Sequence, residues 1–361
     1  MAKRIGILTG GGDCPGLNAV IRAVVRHARG TYGWDVIGIE DGFQGLYEER
    51  FVELGMPSVR DLLSRGGTIL GSSNRANPRA YPVTLPDGRE EVHDVFDACA
   101  ANLDKLDLEA LVVVGGDGTM AIAQGFMERG ARVVGVPKTI DNDLEATDYT
   151  VGFQTAVEVV TEALDRLHST AESHDRIMIC EVMGRYAGWI AMAAGVAGGA
   201  DVILIPEIDY DIDRVVKTFD RRQTRGRSFS IVVVAEGAKP LGATYAEVRG
   251  EDSTQQAKLG GAGERLAAQI RERSRYDVRV TVLGHIQRGG APCAFDRELG
   301  TRFGFKAVDM IKDGKFGHVA ALRGGKVVSA PLDKAVKKLK RVDPSSDLVQ
   351  AAKATGVELG G

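Results

Sequence analysis

Two kinds of segment in this sequence have the residue types for phosphate chemistry: glycine runs that let main-chain amides close on an anion, and carboxylates set among residues with almost no side chain. Thr9-Gly10-Gly11-Gly12-Asp13-Cys14-Pro15-Gly16-Leu17-Asn18 follows an apolar run and opens a helix-period stretch. Its clustered amides and the helix N-terminus behind them suit a phosphate. No Gly-Lys-Ser/Thr closes it as in a Walker A loop, and its GxGxxxG spacing is one residue too long for the dinucleotide fingerprint. By itself the segment fits either a phosphate cradle or a structural tight turn. Gly115-Gly116-Asp117-Gly118-Thr119 sets one carboxylate at the end of another apolar run. An acid there suits a magnesium-bound phosphate, or it caps the next helix. Lys138-Thr139-Ile140-Asp141-Asn142-Asp143 crowds two carboxylates behind a cation. Such crowding suits acid/base work if a metal, a proton or a cationic substrate site relieves it, and an Asp-Asn-Asp turn is the plain alternative.

Two more segments carry dense polarity directly after apolar runs: Glu181-Val182-Met183-Gly184-Arg185-Tyr186-Ala187-Gly188 and Gly284-His285-Ile286-Gln287-Arg288-Gly289-Gly290. Arginine forks match phosphate oxygens bidentately, although a single arginine is as readily a surface ion pair and a single histidine a satisfied hydrogen-bonding residue. The basic runs at 221–227 and 337–341 read as solvated helix ends, where cations complement the helix dipole.

The elements that must position these groups are legible as alternation. Short β-branched runs at Ile5–Leu8, Val36–Ile39, Leu111–Val114, Val133–Val136, Ile177–Val182, Val202–Ile205, Ile231–Ala235 and Val278–Leu283 alternate with helix-period stretches at Leu17–Ala28, Ala156–Leu167, Ile212–Phe219, Gly263–Arg273 and Arg297–Ile311. Repeated βα units of this length predict an α/β fold with largely parallel sheets, and the continuous apolar character of the strands predicts burial on both faces. Leu85–Glu91, with Pro86-Asp87-Gly88, reads as a turn in a surface excursion.

At 361 residues the chain exceeds the size at which one core keeps growing, so two lobes are expected. A formal charge of -3 gives no general field for nucleic acid or an anionic membrane, so anions must be held by local groups. Cys14, Cys99, Cys180 and Cys293 show no zinc spacing and no disulfide framework. With no signal-peptide pattern and no apolar run of bilayer length, a cytoplasmic location is expected.

Taken together and in order, GGGDCPGLN, GGDGT, PKTIDND, EVMGRYAG and GHIQRGG resemble the phosphofructokinase family along nearly the whole chain, in its long or mixed-substrate bacterial form. The resemblance implies two Rossmann-like three-layer α/β/α lobes: 1–152 plus 286–330 for MgATP, and 153–285 plus 331–361 for fructose 6-phosphate. It implies phosphoryl transfer to the sugar 1-hydroxyl, the committed step of glycolysis, with Mg2+ and ATP, and pyrophosphate as the alternative donor. Asp141 falls on the family's catalytic base, with Thr139, Arg185 and Gly12 near the transferred phosphoryl and Asp143 as a helper. Asp117 falls on the magnesium ligand, and Gly12, Arg75, Gly116, Asp117, Gly118 and Thr119 on the ATP site. Thr139, Asp141, Met183, Gly184, Arg185, Glu236, His285 and Arg288 fall on the sugar-phosphate site, completed by Arg176 and Arg279 of a neighbouring subunit in a homotetramer. Gly118 matches ATP-using members, whereas Lys138 matches pyrophosphate-using and mixed ones, so these two positions bear on donor selectivity. The Ser72-Ser73-Asn74-Arg75 segment is one residue longer than in the short bacterial form. Arg22 and Arg26 match effector-binding positions, or form a solvent-facing pair. A lipid or NAD kinase would account for GGDGT alone, and a non-catalytic sugar-phosphate or nucleotide sensor would leave Asp141 without a purpose.

Overall fold

The computed structural model describes residues 3–85, 87–243 and 261–361; Pro86 of the expected turn lies outside them. Its strands are β1 (Arg4–Thr9), β2 (Asp35–Ile39), β3 (Phe51–Glu53), β4 (Tyr81–Thr84), β5 (Glu90–His93), β6 (Ala110–Gly115), β7 (Val133–Pro137), β8 (Ile177–Val182), β9 (Val202–Leu204), β10 (Ser230–Ala235), β11 (Val278–Val282), β12 (His318–Arg323) and β13 (Lys326–Pro331). The α-helices are α1 (Leu17–Tyr32), α2 (Phe43–Tyr47), α3 (Phe96–Lys105), α4 (Asp117–Glu128), α5 (Phe153–His174), α6 (Trp189–Ala197), α7 (Ile212–Thr224), α8 (Ala262–Arg273), α9 (Ala294–Lys312), α10 (Leu332–Val336) and α11 (Asp347–Ala354). None of these helices is long and apolar enough to cross a membrane.

The fold is α/β with largely parallel sheets. Seven strands run in the order β13-β12-β7-β6-β1-β2-β3, and four in the order β11-β8-β10-β9. The four-stranded sheet is wholly parallel, while the larger one turns antiparallel only at its edges, β3 and β13. Every residue of β6, β7, β8 and β10 is buried. That burial on two faces is why these strands read as unbroken apolar runs.

The chain forms two compact units: Met1–Ile140, Leu144–Gln154 and Arg288–Leu339 make the first, and Asp141–Asp143, Thr155–Gln287 and Lys340–Gly361 the second. Residues 332–339 stay with the first unit, where Leu332 is fully buried and its amide donates to the Gly317 carbonyl at 2.9 Å. Each parallel sheet contains a place where the strand order reverses. In the larger sheet the chain leaves β1 toward β2 and later β6 toward β7, so the reversal lies between β1 and β6. In the smaller the chain leaves β8 toward β9 and later β10 toward β11, so the reversal lies between β8 and β10. Loops at the carboxyl ends of such strand pairs diverge and leave room for a ligand.

Candidate active site

The first glycine loop lies at the reversal of the larger sheet. The Gly10 amide donates to the Val114 carbonyl of β6 at 2.9 Å, and the Gly11 amide to the Ser73 carbonyl at 3.1 Å. Gly11 has a φ of 76°, in the left-handed region. A Cβ on Gly10 would stand 2.8 Å from Thr119 Cγ2, so the loop rests on the first turn of α4 only because it carries no side chain there. The Ser72 hydroxyl donates to the Gly11 carbonyl and, at 3.3 Å, to that of Thr9. From the other side comes Lys138, which is 2% exposed. Its ammonium donates to the Gly10 carbonyl at 2.9 Å and to the Gly12 carbonyl. Arg288 Nη1 donates to the Asp13 carbonyl at 3.1 Å and lies 2.8 Å from where a Gly12 Cβ would stand. Two cations therefore flank the loop, which offsets the charge of a phosphate brought to it.

Asp117 is the first residue of α4. The cap position falls on Gly116, with no side-chain cap bond. The capping alternative for Asp117 is thus not the one realised, and its carboxylate is exposed in the turn where the helix dipole favours an anion. Beside it, a Cβ on Gly118 would meet nothing within 4 Å. A Cβ on Gly116 would stand 3.7 Å from Thr139 Cβ, and the Lys138 amide donates to the Gly115 carbonyl at 2.9 Å. The start of α4 and the Lys138–Thr139 step are therefore neighbours. Two residues further along the chain, Asp141 is half-buried in the second unit. Asn142 between the two aspartates has a φ of 52°, in the left-handed region that asparagine tolerates. Arg75 is exposed and paired with Glu90 of β5 at 3.0 Å. Both border a cavity of about 200 Å³ with Gln44, Ser73 and Tyr81.

In the second unit Met183, Gly184 and Arg185 follow β8. Gly184 has a φ of 129°, and the Glu236 amide donates to the Val182 carbonyl at 2.8 Å. A Cβ on Gly237 would stand 2.0 Å from the Arg185 carbonyl oxygen, so this backbone approach requires glycine. Glu207 accepts the Gly188 amide at 2.9 Å and the Val342 amide at 2.8 Å. Burial pushes its carboxyl above the ordinary range, against the pull of those two amides. Glu181, 3% exposed, accepts the Gly261 amide at 3.1 Å and the Gly263 amide at 2.8 Å, anchoring the start of α8. His285 is exposed on the 3-10 turn Gly284–Arg288.

The phosphofructokinase family model matches residues 4–311. The chain belongs to the phosphofructokinase family. It is 52% identical over 357 residues to the ATP-dependent 6-phosphofructokinase 2 of Clostridium perfringens, covering 98% of each chain. It is also 52% identical over 344 residues to the pyrophosphate–fructose 6-phosphate 1-phosphotransferase of Streptomyces coelicolor, covering 95% of this chain and 97% of that one. Among solved structures it resembles the phosphofructokinase of Pichia pastoris in the T-state, with a TM-score of 0.78 and 30% identity over 93% of this chain; it spans 38% of the length of that protein.

Within the second unit, Arg176 and Arg279 lie apart from Met183 and Arg185. Arg176 and Arg279 both bind Asp277, Arg176 through Nε at 2.7 Å. The bond from Arg176 holds the Asp277 carboxyl below its ordinary range. Arg176 precedes β8 and Met183 follows it, so a six-residue strand of roughly 20 Å separates them. Gly237 and Glu207 went unremarked in the sequence reading. Gly237 carried a faint signal as a glycine just beyond a buried strand, whereas Glu207 carried none, because its partners are the amides of residues 188 and 342.

Proposed function

We propose that this chain transfers the terminal phosphoryl group of ATP to the 1-hydroxyl of fructose 6-phosphate, giving fructose 1,6-bisphosphate and ADP, the committed step of glycolysis. The observation that carries this reading is the glycine loop laid on the start of α4 at the strand-order reversal, with Lys138 and Arg288 on either side. Asp141 accepts the proton of the sugar 1-hydroxyl as its oxygen attacks phosphorus and the bond to the leaving phosphate breaks. General-base assistance of this kind is typically worth about 10²- to 10⁴-fold. Gly12 offers its amide to the transferred phosphoryl, with Thr139 and Arg185 as further donors; fixed donors stabilise the charge that spreads over the phosphoryl oxygens.

Magnesium usually takes one or two carboxylates and completes its shell with phosphate oxygens and water. Exposed Asp117 between two glycines fits that donor set, and no group of three or more His, Cys, Asp or Glu among the described residues forms a protein-only cage. Bound there with the donor, the ion would offset phosphate charge. The first unit, with Gly12, Arg75, Gly116, Asp117, Gly118 and Thr119, takes the donor. The second, with Met183, Gly184, Arg185, Glu236 and His285, takes the sugar phosphate. The position of Arg176 and Arg279 at the far end of β8 and β11 supports their service to a neighbouring subunit in a homotetramer. The free, buried cysteines support a reducing compartment, the cytoplasm.

The lack of a side chain at Gly118 supports ATP, since a carboxylate added in the open space there would crowd and repel a nucleotide's phosphates. Pyrophosphate is the second reading, favoured by Lys138 and by the Streptomyces coelicolor relative. Assaying fructose 6-phosphate with MgATP and with magnesium pyrophosphate side by side decides between them. The expected result is turnover with MgATP; turnover with pyrophosphate alone reverses the donor assignment, and none with either refutes the activity. Asp141→Asn is expected to lose at least about 100-fold in kcat with fructose 6-phosphate binding retained; activity within tenfold of the parent removes Asp141 as the base.

A further inference from the structure

Gln287 is fully buried, yet its whole side-chain amide is polar. It lies just past the C-terminal end of β11, which runs parallel to β8. The last backbone bond of that ladder runs from the Leu283 amide to the Glu181 carbonyl at 3.1 Å. In a continuing parallel ladder the next bond would run from the Met183 amide to the Leu283 carbonyl. That carbonyl instead accepts the Ile286 amide at 3.2 Å, because the chain has entered the 3-10 turn Gly284–Arg288. The Met183 amide donates to Gln287 Oε1 at 3.2 Å, and Gln287 Nε2 donates to the Gly284 carbonyl at 3.0 Å. One side chain thus supplies the ladder bond that the turning backbone withdraws. The two partners also fix the amide's orientation, since a backbone N–H requires the oxygen and a carbonyl requires the nitrogen.

We propose that Gln287 is a positioning residue for the acceptor site: it sets the spacing between the Met183–Arg185 loop and the turn bearing His285. This rests on the assignment of those two loops to fructose 6-phosphate. Gln287 touches neither sugar nor donor in this account, and its effect passes through Met183 and Gly284. A buried amide satisfied at both ends is well placed for this, because losing either bond strands a backbone group.

The test measures steady-state kinetics with fructose 6-phosphate and donor varied separately, together with thermal unfolding. Gln287→Leu removes both bonds and is expected to raise the KM for fructose 6-phosphate at least about tenfold while the donor KM stays within about twofold, the size expected when a binding loop shifts by part of an ångström. If Gln287→Leu does not fold, Gln287→Glu is read instead. It keeps the acceptor for Met183 but, ionised, cannot donate to Gly284, and a KM rise of about threefold or more confined to the sugar phosphate is expected. A lowered melting temperature with both KM values unmoved in the variant that folds, or equal rises in the two, overturns the proposal. His285→Ala serves as the control: an unmoved sugar-phosphate KM there refutes the acceptor-loop assignment itself, whereas a rise there without one at Gln287 refutes only the role of Gln287.

Discussion

The loop after β1 and the loops after β8 and β11 are restrained in different ways. The loop after β1 offers backbone, and distant side chains hold it in place: Ser72 and Lys138 take its carbonyls, and Thr119 lies under its glycines. The loops after β8 and β11 offer the side chains of Met183, Arg185 and His285, and buried polar groups hold their backbone, with Glu207 on the Gly188 amide and Gln287 on that of Met183. Side chains hold the first loop by its carbonyls, while its Gly10 and Gly11 amides go to backbone carbonyls; side chains hold the second pair by the Met183 and Gly188 amides and the Gly284 carbonyl.

This contrast yields substitutions whose effects should separate by substrate. Gly237→Ala is expected to act most strongly, since its Cβ would stand 2.0 Å from the Arg185 carbonyl oxygen. Displacing that loop should lower kcat/KM for fructose 6-phosphate by about 100-fold, with the donor KM little changed. A wild-type-like KM for the sugar would show that the Arg185 loop yields without consequence. Lys138→Met should have the next largest effect. It withdraws the buried ammonium from the Gly10 and Gly12 carbonyls, and at about 1–3 kcal/mol for each stranded buried group the donor KM or kcat should suffer roughly tenfold or more. Equal damage to the sugar-phosphate KM would erase the division between the two constructions. Ser72→Ala, which removes one neutral donor from the same loop, should cost about 0.5–1.5 kcal/mol, or about two- to tenfold in donor kcat/KM. Kinetics indistinguishable from the parent would leave Lys138 as the loop's main restraint.

Much of the fold was legible because it rests on local pattern. The strand expected at Ile177–Val182 is present with those bounds, and the helix expected at Ala156–Leu167 extends to Phe153–His174. Edge elements escaped. The β12–β13 hairpin turns through Gly324 and Gly325, with φ of 53° and 78°. β13 has only one buried residue, so its sequence lacks the continuous apolar signal of a strand covered on two faces. At the candidate site the glycine loop and Asp117 could be picked out by composition. The capping alternative for Asp117 could not be decided until Gly116 was seen in the cap position.

The sequence alone determined which strand ends bear glycine, carboxylate and arginine, and that the sheets are parallel and buried, because periodicity and turn chemistry act over a few residues. Only the tertiary structure decided what restrains those ends. Lys138 meets Gly10 across 128 positions, Gln287 meets Met183 across 104, and Arg288 meets Asp13 across 275. Such pairings follow from strand order and register, which are fixed when both faces of each sheet are buried together, and no local window of residues contains that information.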